Sequence, residues 1–325
     1  MAFKDILGNE RQKKILRKAL QKDRIPNSML FCGLEGVGKK SLALVLAKAM
    51  NCEKKKDDAC EVCSPCKAIS RDNFPDVMVI SPDGNIIKID QIRILKQTAY
   101  LKPMVGQKRV FIVAEAEKMN EEAANSLLKI LEEPPLFSHI ILVTHNPDVI
   151  KPTIKSRCQI LSFQPVSRED IEKILLEKGF GKERAKIIAL LVGGNLKKAL
   201  NLEWEEIQAK RAKAWELFLS LLKKEKVATF LKNYVSSRSL RREELEEVLE
   251  IFSSFCRDLI LIKEKSDIRL LMNPDYAEVF KKTENFLSLS KAMDYLEKID
   301  YAFYAMQKNL NMNLLVTSLF SNLIS

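Results

Sequence analysis

Between residues 28 and 163, short apolar runs alternate with segments whose apolar positions return every three or four residues. The runs are SMLFC (28–32), DVMVI (76–80), RVFIV (109–113), SHIILVT (138–144) and ILSF (160–163). Unbroken apolar runs of this length predict strands buried on both faces, and the three-and-four spacing between them predicts helices. Residues 3–22 read as a short lead-in and an amphipathic helix with Ile15, Leu16 and Ala19 on one face. Residues 88–101 form a second helix through Ile89, Ile92, Leu95 and Ala99. In 120–133, Asn120 can cap a third helix, two acids lie in its first turn, and Pro134–Pro135 stop it. Strand alternating with helix predicts an α/β domain over 1–165, a mainly parallel sheet with helices on both faces.

After Pro165 no strand-like run returns. Ser167 can cap a helix to Lys178, a second helix spans about 182–192, and Gly193–Gly194 lead into a third at 195–201, so 166–203 reads as a small helical unit. From 204 to 325 only helical spacing remains, as in Leu245, Leu249, Phe252 and Cys256. Breaks are expected near Lys224, Ser236–Ser237, Asn273–Pro274 and Leu287–Ser288. A helical region of this size without a catalytic motif reads as a packing or assembly module.

Composition changes the picture modestly. A chain of 325 residues, 46% hydrophobic, has room for two or three domains with ordinary cores. The first twenty residues lack an apolar secretory core, and no run of about 18 apolar residues occurs, so a soluble, cytoplasmic protein with no membrane span is expected. The net charge of +11 and isoelectric point near 9.2 suggest an acidic partner, nucleic acid foremost. With two histidines, His139 expected at a strand edge and His145 at the C-terminal end of a strand, a histidine-based catalytic centre has little to build on.

The chemistry gathers in two places. The first apolar run leads into GLEGVGKKS, where Gly33, Gly36, Gly38 and Lys39 match the phosphate-binding pattern G-x-x-x-x-G-K-[ST] between strand and helix. The next position should carry a hydroxyl for Mg²⁺ and carries Lys40 instead; Ser41 comes one residue late, a swing of about 100° around a helix. In RVFIVAEAE, the acidic pair that ends such a strand is reduced: Ala114 stands at the metal-binding aspartate position and Glu115 remains. Both losses fall on the same ion. Very slow or absent turnover is expected, with any ATP or ADP binding weak and indifferent to Mg²⁺.

The second place is Cys52, Cys60, Cys63 and Cys66, four of the chain's seven cysteines. In a reducing compartment this density suggests a metal shell rather than disulfides, since overlapping C-x₂-C turns offer three thiolates from one knuckle. Structural Zn²⁺ in a closed four-thiolate shell is expected, with an iron-sulfur cluster as the rival. Cys32, Cys158 and Cys256 read as core residues.

Taken together, GLEGVGKK, the four-cysteine insert after the loop helix, NSLLKILEEPP, the SRC triplet 156–158 and GGNLKKAL at 193–200 resemble the bacterial clamp-loader branch of the AAA+ family. The resemblance covers the whole chain. It implies an AAA+ domain, a three-helix lid over 166–203 and a helical collar over 204–325 through which five subunits assemble. It implies that Arg157 is an arginine finger reaching a neighbour's ATP site, where a permanently charged, planar guanidinium stabilises charge on the γ-phosphate. Thr144 and Asn146 lie where relatives keep a polar residue near that phosphate, and Lys197 stands where ATP-hydrolysing relatives carry a lid arginine. The implied partners are the gamma or tau motor subunits, the delta subunit, the sliding clamp and primed DNA. The ATP-hydrolysing motor subunit itself and a free-standing zinc-containing DNA-binding protein are the alternative readings.

Overall fold

The computed structural model describes residues 1–223, 242–267, 270–283, 287–307 and 312–324. These form two compact units, one of Met1–Ile174 with Val192–Leu200 and one of Leu175–Leu191 with Asn201–Ser325.

In the first unit, β1 (Ser28–Cys32), β2 (Val77–Ile80), β3 (Arg109–Val113), β4 (Ser138–Thr144) and β5 (Gln159–Ser162) form a parallel sheet in the order β2-β3-β4-β1-β5. Alternate residues of each strand feed opposite faces. Met29 and Phe31 join Ile112, Ile141 and Leu161 beneath α1 (Glu10–Gln21) and α2 (Lys39–Met50), meeting Leu16, Leu42 and Leu46. Leu30 joins Phe111, Val113, Ile140 and Leu142 on the other face, against Ile92 and Leu95 of α4 (Ile89–Ala99) and Leu127 and Ile130 of α5 (Glu121–Glu132). Each such side chain removed from water contributes roughly 1.5–3 kcal/mol. The remaining helices of this part are α3 (Ser64–Ser70) and α6 (Pro152–Lys155). Asn120 caps α5 as expected, its side chain accepting from Ala123 N at 2.9 Å.

Two expectations change. The buried stripe of α1 is Lys13, Leu16 and Leu20, while Ile15 is exposed; Lys13 reaches the interior because its ammonium donates to Ile6 O at 2.6 Å and pairs with Glu10. His139 is not at an edge. It sits in β4, between β3 and β1, and is 2% exposed. Its Nδ1 meets Pro26 O at 3.1 Å, and burial, which disfavours the charged ring, pulls its pKa down to about 4.

The approach to β3 is fixed by a buried carboxylate. Asp76 accepts from the backbone N–H groups of Met104, Val105 and Gly106 at 2.8 Å each and from Arg109 Nη2 at 2.9 Å. Asn51, just after α2, accepts from Gln107 N and Lys108 N, so loop, helix end and strand start are tied together.

The segment after β5 holds α7 (Arg168–Glu177), α8 (Lys182–Leu191) and α9 (Leu196–Asn201). The Ser167 hydroxyl caps α7 through Asp170 N, and Asn195 caps α9 through Lys198 N. In the second unit, α10 (Trp204–Lys223), α11 (Arg242–Lys263), α12 (Ala277–Thr283), α13 (Leu289–Gln307) and α14 (Met312–Ile324) enclose a core in which Leu245, Leu249, Phe252 and Cys256 are buried. Buried Arg211 forks onto Asp275 and Asn273, stacks over Tyr276 at 4.8 Å, and so fastens the turn around Pro274. The breaks expected near Lys224 and Ser236–Ser237 lie outside the described residues; those at Asn273–Pro274 and Leu287–Ser288 separate helices as predicted.

Candidate functional site: a phosphate loop, a cysteine shell and an arginine

The loop leaves the C-terminal end of β1, which lies between β4 and β5, and enters α2 at Lys39. Gly38 occupies the capping position with φ 90°, and Gly36 has φ 73°, a left-handed conformation that side chains resist. Space is as limiting as conformation at Gly36. A Cβ added there would lie 1.7 Å from Asn195 Oδ1, so the residue capping α9 is packed directly on the loop.

Lys39, the residue expected to meet phosphate, is buried, and its ammonium donates to Gly33 O at 2.6 Å and Leu34 O at 2.5 Å. Burial lowers its pKa below the ordinary value, against the raising fields of Glu117, Glu35 and Cys32. Lys40 is exposed, and Ala114 is buried immediately after β3, so neither supplies the hydroxyl or carboxylate that would hold a divalent cation.

The expected surviving acid, Glu115, adopts a left-handed turn with φ 54°, is half-exposed and pairs with Lys118 at 2.7 Å. A further acid, Glu117, whose side chain is 8% exposed, acts on Lys39 through its field. His145 Nδ1 lies 2.5 Å from Glu117 Oε1, an ion-pair contact, and neither carboxylate oxygen has a well-aligned hydrogen bond. Burial would raise the Glu117 carboxyl, but His145 and the Thr144 hydroxyl outweigh it and hold the group below its usual value. Glu117 in turn raises the His145 imidazole. Thr144 Oγ1 also accepts from Asn146 N at 3.1 Å, fixing the turn after β4. Sequence reasoning missed Glu117 because attention rested on the residue directly after the strand. The available signal was that both histidine and a second acid flank the two strand ends that border the loop.

The four cysteines do converge. The sulfurs of Cys52, Cys60, Cys63 and Cys66 lie within 4.8 Å of one another, none is in a disulfide, and three of the residues are buried. Four thiolates about 2.3 Å from one Zn²⁺ in a tetrahedron stand about 3.8 Å apart, so the shell fits a single ion after a small contraction. Lys55 N and Cys63 N donate to the Cys52 and Cys60 sulfurs at 3.3 Å each, as suits thiolate acceptors. The module is anchored on its outer side: Asp58 accepts from Phe3 N, Asp57 pairs with Arg17, and Glu61 pairs with Lys48.

Arg157 follows α6 at the start of β5 and is partly exposed. Its Nε donates to Glu132 Oε1 at 2.7 Å and its Nη1 to Thr153 O at 2.8 Å, so the guanidinium is presented at the surface on a carboxylate. Lys197 is exposed on α9. Cys158 is half-buried and burial pushes its thiol up to about 12, while Cys32 and Cys256 are buried, in keeping with core roles. Among the described residues no helix is long and apolar enough to cross a membrane.

A phosphate loop on a parallel sheet, followed by a cysteine shell and an all-helical second unit, defines a class in which known proteins match. A family model described as "DNA polymerase III, delta subunit" matches residues 8–167. The DNA polymerase III subunit delta' of Bacillus subtilis is 31% identical over 313 residues, covering 96% of this chain and 93% of that one. The subunit tau of the same organism is 34% identical over 211 residues, 62% of this chain and 37% of tau. A gamma subunit-related protein of Thermotoga maritima, of solved structure, aligns over 96% of this chain and 98% of that one at a TM-score of 0.43 and 18% identity. The chain is thus of the clamp-loader class of DNA polymerase III subunits. Within that class it belongs to the delta' family.

The Glu117–His145 pair makes a pH prediction. A raised imidazole stabilises the fold fully below its unfolded value of 6.5 and loses that contribution as pH rises through the raised folded value. A depressed carboxyl stabilises above 4.5 and loses it as pH falls through the lowered folded value. The stability deficit of His145→Gln, measured by urea unfolding, is therefore expected to be largest between 4.5 and 6.5 and to shrink as pH rises through the raised imidazole value. An equal deficit at both ends would show that the pair contributes no charge-dependent stability.

Proposed function

We propose that this chain is the non-hydrolysing member of a DNA polymerase III clamp loader, acting beside gamma or tau motor subunits and delta in the cytoplasm to place a sliding clamp on primed DNA. The observation that carries the reading is the end-to-end similarity to a delta' subunit in a chain with Lys40 after the loop lysine and Ala114 after β3, where metal ligands belong. Phosphoryl transfer depends on a metal ion bridging the phosphates, and this loop retains only its backbone cradle and one cation. Residues 166–203 then serve as the lid and 204–325 as the collar by which subunits assemble.

Arg157 supplies the complementary part, completing a neighbour's ATP site. Its present partner Glu132 is an oxyanion of the kind a γ-phosphate would replace, and a guanidinium grips both by the same forked donors. The partial similarity to tau favours a second reading, a motor subunit with its own turnover. One experiment separates the two. In a complex reconstituted from this chain with gamma or tau and delta, Arg157→Ala is expected to slow hydrolysis at the one site it reaches by on the order of 10³, lowering total ATPase by that site's share, while Lys39→Ala leaves the rate unchanged. Wild-type rates with Arg157→Ala, or loss of activity with Lys39→Ala, would overturn the assignment.

The cysteine shell holds structural zinc in this reading. Its compactness suits one ion better than a multi-iron cluster, which interposes bridging sulfides and so needs a wider shell. With four protein ligands there is no open position, so the ion's contribution is to fold the insert rather than to catalyse. Metal analysis of the purified chain is expected to find one zinc per molecule, lost in Cys60→Ser; stoichiometric iron with acid-labile sulfide would refute it.

A further inference from the structure

The loop is not simply short of ligands; it is already occupied by groups of its own chain. The Lys39 ammonium is turned onto the carbonyls of Gly33 and Leu34. The carboxylates of Glu117 and Glu35 both act on the Lys39 ammonium through their fields. Glu117 is 92% buried by its side chain's 8% exposure, lacks a well-aligned hydrogen bond at either oxygen, and is gripped by His145 from the end of β4. Asn195, whose Oδ1 accepts from Lys198 N at 2.8 Å, packs against Gly36.

We propose that Glu117, held in place by His145, is the residue that determines what this loop accepts: an internal carboxylate standing as the counter-charge to Lys39 and barring phosphates from the cradle. The inference rests on the reading of the loop as non-hydrolysing, and deepens it by naming what keeps nucleotide out. A phosphate entering the loop must draw Lys39 off two carbonyls and share the site with a carboxylate that water does not reach. An anion brought beside a carboxylate whose oxygens are shielded from water is repelled more strongly than in bulk solvent. His145 supplies part of that neutralisation, and by doing so it fixes the carboxylate where it is rather than letting it swing out. Asn195 crowds the loop at Gly36, leaving no room there for so much as a Cβ.

Loss of the metal ligands alone would leave a cradle that still binds phosphates loosely, as backbone N–H groups and a lysine do in general. An internal anion predicts something different, a site that gains affinity when a charge is removed. Titration calorimetry of the full chain with ADP and with ATP, in the absence and presence of Mg²⁺, distinguishes the two. Glu117→Gln keeps the shape and removes the charge; it is expected to tighten binding of both nucleotides at least tenfold over the unchanged chain. The gain should vanish in the double variant Glu117→Gln with Lys39→Ala, because the freed lysine is what takes the phosphate. Glu117→Ser, smaller and equally uncharged, provides a second variant should the glutamine perturb folding, which a thermal melt reports. If folded Glu117→Gln and Glu117→Ser bind ADP and ATP no tighter than the unchanged chain, or if their gain survives loss of Lys39, the inference is overturned while the non-hydrolysing reading stands. Tight, Mg²⁺-dependent ATP binding by the unchanged chain would instead overturn the reading beneath it.

Discussion

A lysine ammonium removed from water must be given acceptors, and in this protein that requirement is met from within. The loop between β1 and α2 bends through left-handed glycines so that its own carbonyls face Lys39, and the turn after β3 brings Glu117 within reach of its field. Everything else about the site follows from that satisfaction. The sheet order puts the ends of β3, β1 and β4 side by side, so Ala114, Glu117, Thr144 and His145 all border the loop. The start of the cradle is fixed by β1, which is clamped by two parallel neighbours and packed on both faces of the sheet.

Much of this was legible before any coordinates. Strands buried on both faces must be apolar at every position, which is why 28–32, 109–113 and 138–144 stood out. Caps at Asn120 and Ser167 are chemically specific, and cysteines spaced to share one ion have few other uses. What stayed hidden was orientation after the strand ended. Period-two alternation stops at Val113, Glu115 takes a left-handed turn, and the next acid to point inward is two residues further on. His139 was misplaced for a related reason: a polar residue in an apolar run suggests an edge, but in the interior the Pro26 carbonyl pairs with its Nδ1. Lys13 displaced Ile15 from the buried face of α1 in the same way, by finding Ile6 O.

The arginine and the cysteine shell are built on the same α/β unit by different means. Arg157 is displayed on a short helix-to-strand junction and paired with Glu132, from the helix that precedes Pro134–Pro135. That pairing is reversible by nature, since an exposed ion pair is weakly held and one oxyanion can replace another. The cysteine shell is the opposite case, a closed set of soft ligands whose surroundings, Phe3, Arg17 and Lys48, bind it to the body of the unit. One element is held by a single exposed ion pair and the other by several contacts to the body of the unit.

On the function proposed above, the phosphate loop is a folded element without an engine. Steady-state ATPase measurement on the purified chain alone, with and without Mg²⁺, tests it most directly. The account predicts no hydrolysis above a protein-free control under either condition. Brisk Mg²⁺-dependent turnover that disappears with Lys39→Ala would contradict it.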